Sequence, residues 1–151
     1  MAHFDKNKVG RKDFLMQNGT LSGNPVAAVA GLKTLEILRR SGSYDRLRTL
    51  GKTLMQAITR HLSASGHAHQ IVGEPALFDV VFAEGIVRNY REFLRGDIDK
   101  ATAFNALLRQ NGILKSPNKI YMYLALSDDD ITQTVDAVSQ VAKGMVDSKD
   151  V

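Results

Sequence analysis

Residues 70–82, QIVGEPALFDVVF, decide the class of fold. Residues 70–72 and 77–82 are rich in β-branched and aromatic side chains, the types that fit a pleated, half-buried surface. Gly73 and Pro75 stand between them and suit a bend or bulge. Strands here exclude an all-helical bundle. Upstream, Leu47, Leu50, Leu54, Ile58 and Leu62 recur at spacings of three and four, which gives one apolar stripe along a helix that Gly66 can end. Downstream, Asp97 can cap a helix carrying Ile98, Ala101, Phe104 and Leu108, with Gly112 at the C-terminal glycine position. Residues 87–96, VRNYREFLRG, remain ambiguous. Ile113 and Leu114 read as a short strand, residues 116–118 as a turn, and residues 120–126 as a longer strand. In the last helix Ser127 and Asp130 approximate a capping box, and Ile131, Val135, Val138, Ala142 and Met145 form the stripe.

At the other end, residues 1–22 carry little periodicity and read as an extended arm or loop. Asn24 is a good N-cap and Pro25 suits the first helical position, where its missing N–H is lost at no cost to the ladder. The first turns of the helix that follows are apolar on every side, the signature of a buried helix. The serines and glycine of residues 41–43 break the chain before the next helix. The order of elements predicts an α+β fold, a largely antiparallel sheet with helices on one face.

Composition narrows the function classes. A chain of 151 residues, 44% hydrophobic, can bury one real core and is too short to expect two. No cysteine is present, so there is no thiolate chemistry, and a reducing, cytoplasmic setting fits. No segment approaches the apolar length of a membrane span. The net charge of +4 arises from 20 basic residues interspersed with 16 acidic ones, with no basic block of the kind that grips nucleic acid.

Three constellations have bland readings. Asp128, Asp129 and Asp130 favour the positive end of a helix dipole and would splay around its axis rather than converge on a metal. His61, His67 and His69 have no carboxylate or thiol nearby to complete a ligand set, so residues 61–69 read as a polar turn. Tyr121 and Tyr123 share one face of a strand and could stack on a base. The glycine and aromatic signature of an RNA-binding sheet is missing, which favours packing on the sheet.

Residues 18–25, NGTLSGNP, carry more. Gly19 and Gly23 permit backbone angles other residues avoid, and Thr20 and Ser22 present hydroxyls beside exposed N–H groups, an arrangement suited to phosphate or to a plain turn and cap. This is not a nucleotide P-loop, because Asn24 stands where the lysine is required. Pro25 also removes a donor from the helix end, so Thr20 is the better phosphate contact.

Residues 19–38, GTLSGNPVAAVAGLKTLEIL, resemble the segment that opens the C-terminal small domain of class III pyridoxal-phosphate-dependent aminotransferases, especially glutamate-1-semialdehyde aminomutase and its relatives. Further likeness runs through residues 69–82 and residues 105–138 in the same order. The resemblance implies the small domain of a fold-type I enzyme over residues 23–151, preceded by an arm and phosphate-contacting loop over residues 1–22. It implies that Gly19 and Thr20 reach across a homodimer to the phosphate of pyridoxal 5'-phosphate, and that the complete enzyme moves an amino group through a pyridoxamine form.

Such chemistry needs a lysine amine to hold the cofactor and an acid on the pyridine nitrogen. In the family both lie further upstream than the 18 residues that precede Gly19 here. Lys6, Lys8 and Lys12 are too close to match and sit in a polar arm. The chain therefore reads as the C-terminal third of a longer enzyme, Met1 being internal to the parent, with the large domain missing and no activity alone. Two departures leave the amino donor open. GEPALFDVVF replaces the aminomutase's glycine-rich run, and residues 125–127, Ala-Leu-Ser, replace its Ala-His-Ser or Ala-His-Thr. The alternatives from other classes are a stand-alone regulatory or interaction module and, more weakly, a nucleic-acid-binding domain.

Overall fold

The computed structural model describes residues 2–16, 19 and 21–145. They form two compact units, Met1–Arg40 and Ser41–Val151.

In the first unit a 3-10 turn, Ala2–Phe4, leads into α1, Lys6–Asp13, and α2 spans Pro25–Leu38. Helix is found where an extended arm was expected. Asp5 caps α1 by accepting from the N–H of Asn7 (3.1 Å), and the Leu15 N–H donates to the His3 carbonyl (2.7 Å). These ties are local and need no apolar stripe. α1 is kinked at Gly10. In α2, Asn24 caps the helix as read, and the Arg39 N–H closes its end on the Leu35 carbonyl. The expected burial of α2 is not met. Val26, Val29, Leu32 and Leu35 are all more than half exposed, and no residue of the helix is buried.

The second unit holds the core. Its elements are α3 (Ser43–Ala64), β1 (Gln70–Glu74), β2 (Leu77–Val81), α4 (Tyr90–Phe93), α5 (Ile98–Gln110), β3 (Ile120–Tyr121) and α6 (Asp128–Gly144). The sheet is antiparallel in the order β1-β2-β3, with Ile71 opposite Val80 and Leu77 opposite Tyr121. α3 packs on α6 and β1, and α6 also packs on α5. The predicted α3 stripe is buried throughout; its Ile58 and Leu62 are among the innermost side chains of the core, with Phe78, Phe104, Leu108 and Val138. Each large apolar side chain so buried contributes about 2 kcal/mol. Gly66 and Gly112 stop α3 and α5 with positive φ, and the following N–H groups of His67 and Ile113 reach back to Leu62 and Leu108. Gly51 lies where α3 meets the Pro75 carbonyl so closely that no side chain fits between them.

Two strand expectations fail, each for a reason visible in the ladder. Residues 113–114 form no strand, because the Ile113 N–H is spent on the α5 end and Leu114 is 81% exposed. The strand expected over residues 120–126 is only two residues long. Tyr121 pairs with the first residue of β2, and one more bond, Met122 N–H to the Ala76 carbonyl (3.0 Å), meets the turn between β1 and β2. Beyond that turn there is no partner strand among the described residues.

The stripe of α6 also rotates slightly. Ile131, Val138, Ala142 and Met145 are buried as expected, Val135 is half-buried, and Ala137 and Val141 join the core.

Candidate functional site

The glycine loop enters α2 through a turn in which the Ser22 N–H donates to the Gly19 carbonyl (2.9 Å). Gly19 is exposed, and a Cβ there would stand 2.8 Å from the Ser22 hydroxyl. Thr20 lies outside the described residues, as does Asn18. The helix end itself is occupied. The Asn24 side chain accepts from the N–H groups of Val26 (2.9 Å) and Ala27 (3.2 Å), and Pro25 has none to give. An anion at this corner must therefore bind to the loop. Lys6, Lys8 and Lys12 are all exposed, and Lys8 pairs with Asp5 at 3.7 Å.

A second locus was not anticipated from the sequence. Asp79 sits in β2 with only 5% of its surface exposed, although its strand neighbours Phe78, Val80 and Val81 are core residues. Burial raises its carboxyl above the usual carboxylate range, against the opposing pull of the Val80 N–H (2.9 Å) and the Lys115 and Lys119 ammonium groups. Lys115 is half-buried, and burial lowers its pKa while Asp79 holds it up. Its Nζ donates to the carbonyls of Ser116 (2.8 Å) and Pro117 (3.2 Å), and Asn105 on α5 donates to the same Pro117 carbonyl (2.9 Å). The loop bearing the lysine is thereby tied to a helix. The available signal was a carboxylate placed inside the otherwise apolar run LFDVVF.

Beside this group opens a cleft of about 380 Å³ between residues 112–123 and the first turns of α6. Lys115 and Lys119 line it together with Tyr121 and Tyr123, and Leu54, Ile120 and Ile131 form apolar wall. The tyrosines do not pack away on the sheet as expected. They are 60% and 57% exposed.

The remaining constellations resolve structurally. Ser127 and Asp130 form a complete capping box, and the Ser127 hydrogen bonds lower the Asp130 pKa. His67, read as part of a polar turn, is buried, and its Nε2 donates to the Ala142 carbonyl at the end of α6 (2.8 Å). His69 Nδ1 donates to the His67 carbonyl (2.8 Å). Among the described residues no group of three or more metal-ligating side chains exists, and no helix is long and apolar enough to cross a membrane.

No family model matches the chain. Solved structures do. An omega-transaminase from Sphaerobacter thermophilus is similar over 94% of this chain and 32% of its own, with a TM-score of 0.70 and 23% identity. A beta-phenylalanine aminotransferase from Variovorax paradoxus is similar over 93% of this chain and 32% of its own, with a TM-score of 0.67 and 25% identity. A transaminase solved with PLP bound gives a TM-score of 0.69 at 20% identity, over 93% and 32% of the two chains. The chain thus has the α+β fold of the C-terminal part of these transaminases and spans about a third of their length.

Proposed function

We propose that the chain is the C-terminal part of a class III, pyridoxal-phosphate-dependent aminotransferase or aminomutase of the glutamate-1-semialdehyde type, inactive alone and dimeric when complete. The observation that carries this reading is the near-complete coverage of the chain on one third of several transaminases, at TM-scores of 0.67 to 0.70. Residues 1–22 act as the arm and phosphate loop, and residues 23–151 as the small domain. An intracellular, cytoplasmic setting fits a chain without cysteine.

The residues fit one end of the cofactor. An exposed glycine at position 19 lets a phosphate approach the backbone beside the Ser22 hydroxyl, and Asn24 already satisfies the helix donors, so Gly19 and Thr20 are the residues assigned to phosphate contact. The other end is not supplied by Lys6, Lys8 or Lys12, whose exposure offers none of the desolvation that makes a lysine amine nucleophilic near neutral pH. Bound pyridoxal phosphate supplies the electron sink for amino-group transfer. This chain's own residues hold the phosphate, form dimer contacts and wall part of the substrate cleft.

The test is made on the complete enzyme, expressed from the gene read upstream of the Met1 codon. Thr20→Val should weaken retention of pyridoxal phosphate by about tenfold, the loss expected for one hydrogen bond to a charged group. Unchanged retention would remove Thr20 from the site. Borohydride treatment of the isolated chain with the cofactor should label no single lysine, and specific labelling of one would overturn the claim of inactivity.

A further inference from the structure

We infer that the cleft between residues 112–123 and α6 is a binding site for a small organic acid, with a carboxylate held by Lys115 and Lys119 and an apolar or aromatic body lying against the wall behind them. The volume of about 380 Å³ falls in the range of small-ligand pockets. Its lining divides into two chemistries. Leu54, Ile120, Met122 and Ile131 give the apolar part, while Lys115, Lys119, Tyr121 and Tyr123 are the residues that carry donors.

Charge favours an anion. The lining itself carries two cations against one carboxylate, Asp130, which is committed to the N–H and hydroxyl of Ser127, 2.8 and 2.7 Å from its Oδ2; the Asp79 carboxyl, which also acts on both lysines, is buried in β2 outside the lining, where burial favours its neutral form. Lys115 is pre-positioned. Two of its three ammonium protons are held by the Ser116 and Pro117 carbonyls, which leaves one donor for a ligand at little further cost in side-chain entropy. Lys119 is exposed and reaches the same cleft from the far side of the turn at Pro117 and Asn118. A bare inorganic anion would use the lysines and leave the apolar wall wet. An amine of the same size would meet the two ammonium groups of the lining. An acid with a hydrocarbon body uses both halves of the lining, and the exposed rings of Tyr121 and Tyr123 can close over it.

This site involves neither Gly19 nor Thr20 and needs no cofactor. Only the identification of the acid as an amino or keto acid rests on the function proposed above. The experiment is a calorimetric titration of the full chain with 3-phenylpropanoate, 3-phenylpropanamide and inorganic phosphate. Saturable binding of 3-phenylpropanoate is expected, with the amide and phosphate each weaker by about tenfold or more. Lys119→Gln, at an exposed position that leaves the fold intact, should weaken 3-phenylpropanoate by about tenfold, and Lys115→Met should do the same. Equal binding of acid and amide, phosphate binding as tight as the acid, or indifference to both substitutions would each overturn the inference. Acid binding in a complete enzyme that fails to transfer amino groups would leave the cleft standing and remove the function, whereas transfer without acid binding here would do the reverse.

Discussion

Asp79 shows how a single side chain can set the pH response of the second unit. Its pKa is raised mainly by burial, so the folded state holds the proton more tightly than the unfolded chain, whose value is near 3.8. The contribution to stability is fully present below 3.8 and is lost as pH rises through the raised folded value. Asp79→Asn should abolish that fall, which urea midpoints measured between about pH 3 and about pH 7 would reveal as a flatter profile than the parent's. A profile that stays parallel to the parent's would mean that other groups govern this range. Gly51 makes a second residue-scale case. A methyl group there collides with the Pro75 backbone carbonyl, so Gly51→Ala should cost about 3 kcal/mol, despite alanine's better helix propensity, and lower the midpoint accordingly. Neither effect was legible in the sequence. A glycine in an apolar helical stripe looks like a mild defect, and a lone aspartate in a strand does not announce which lysines face it.

At the scale of elements, α6 tests the capping box. Ser127→Ala removes the acceptor for the Asp130 N–H and should cost about 1 kcal/mol, read as a lower thermal midpoint. The same substitution should let the Asp130 pKa return toward its ordinary value, because the Ser127 hydrogen bonds are what depress it. In the parent that contribution is present above 3.8 and lost as pH falls through the depressed folded value, the opposite sense to Asp79. An NMR titration of the Asp130 carboxyl carbon checks the shift. Elements of this kind were readable in advance, since caps and stripes are written within a few residues: Asn24, Asp97 and Ser127 each cap the helix the sequence assigned to them. The strands near residues 113 and 120 were less so. Strand length depends on what lies alongside, and the ladder stops where the turn between β1 and β2 begins.

For the whole molecule, the salient feature is α2, apolar on several sides and unburied. Val29 and Leu32 are 65% and 68% exposed. Isolated apolar residues on a surface are ordinary, but a contiguous patch promotes association. Val29→Glu with Leu32→Lys should shift the chain toward monomer in sedimentation at matched concentration, and an unchanged distribution would show that α2 does not drive assembly. The same exposure accords with the proposal that a larger protein supplies the cover.

The sequence by itself determined the α+β class, the caps of α2, α5 and α6 and the stripe of α3, because each rests on interactions between residues close along the chain. It also singled out the loop at Gly19 and Thr20. Tertiary structure alone decided the lengths of the strands, the burial of Asp79 and His67, the exposure of Tyr121 and Tyr123, and the cleft they flank. These depend on which distant backbone comes to lie beside a residue, and so on how much water is left around its polar atoms.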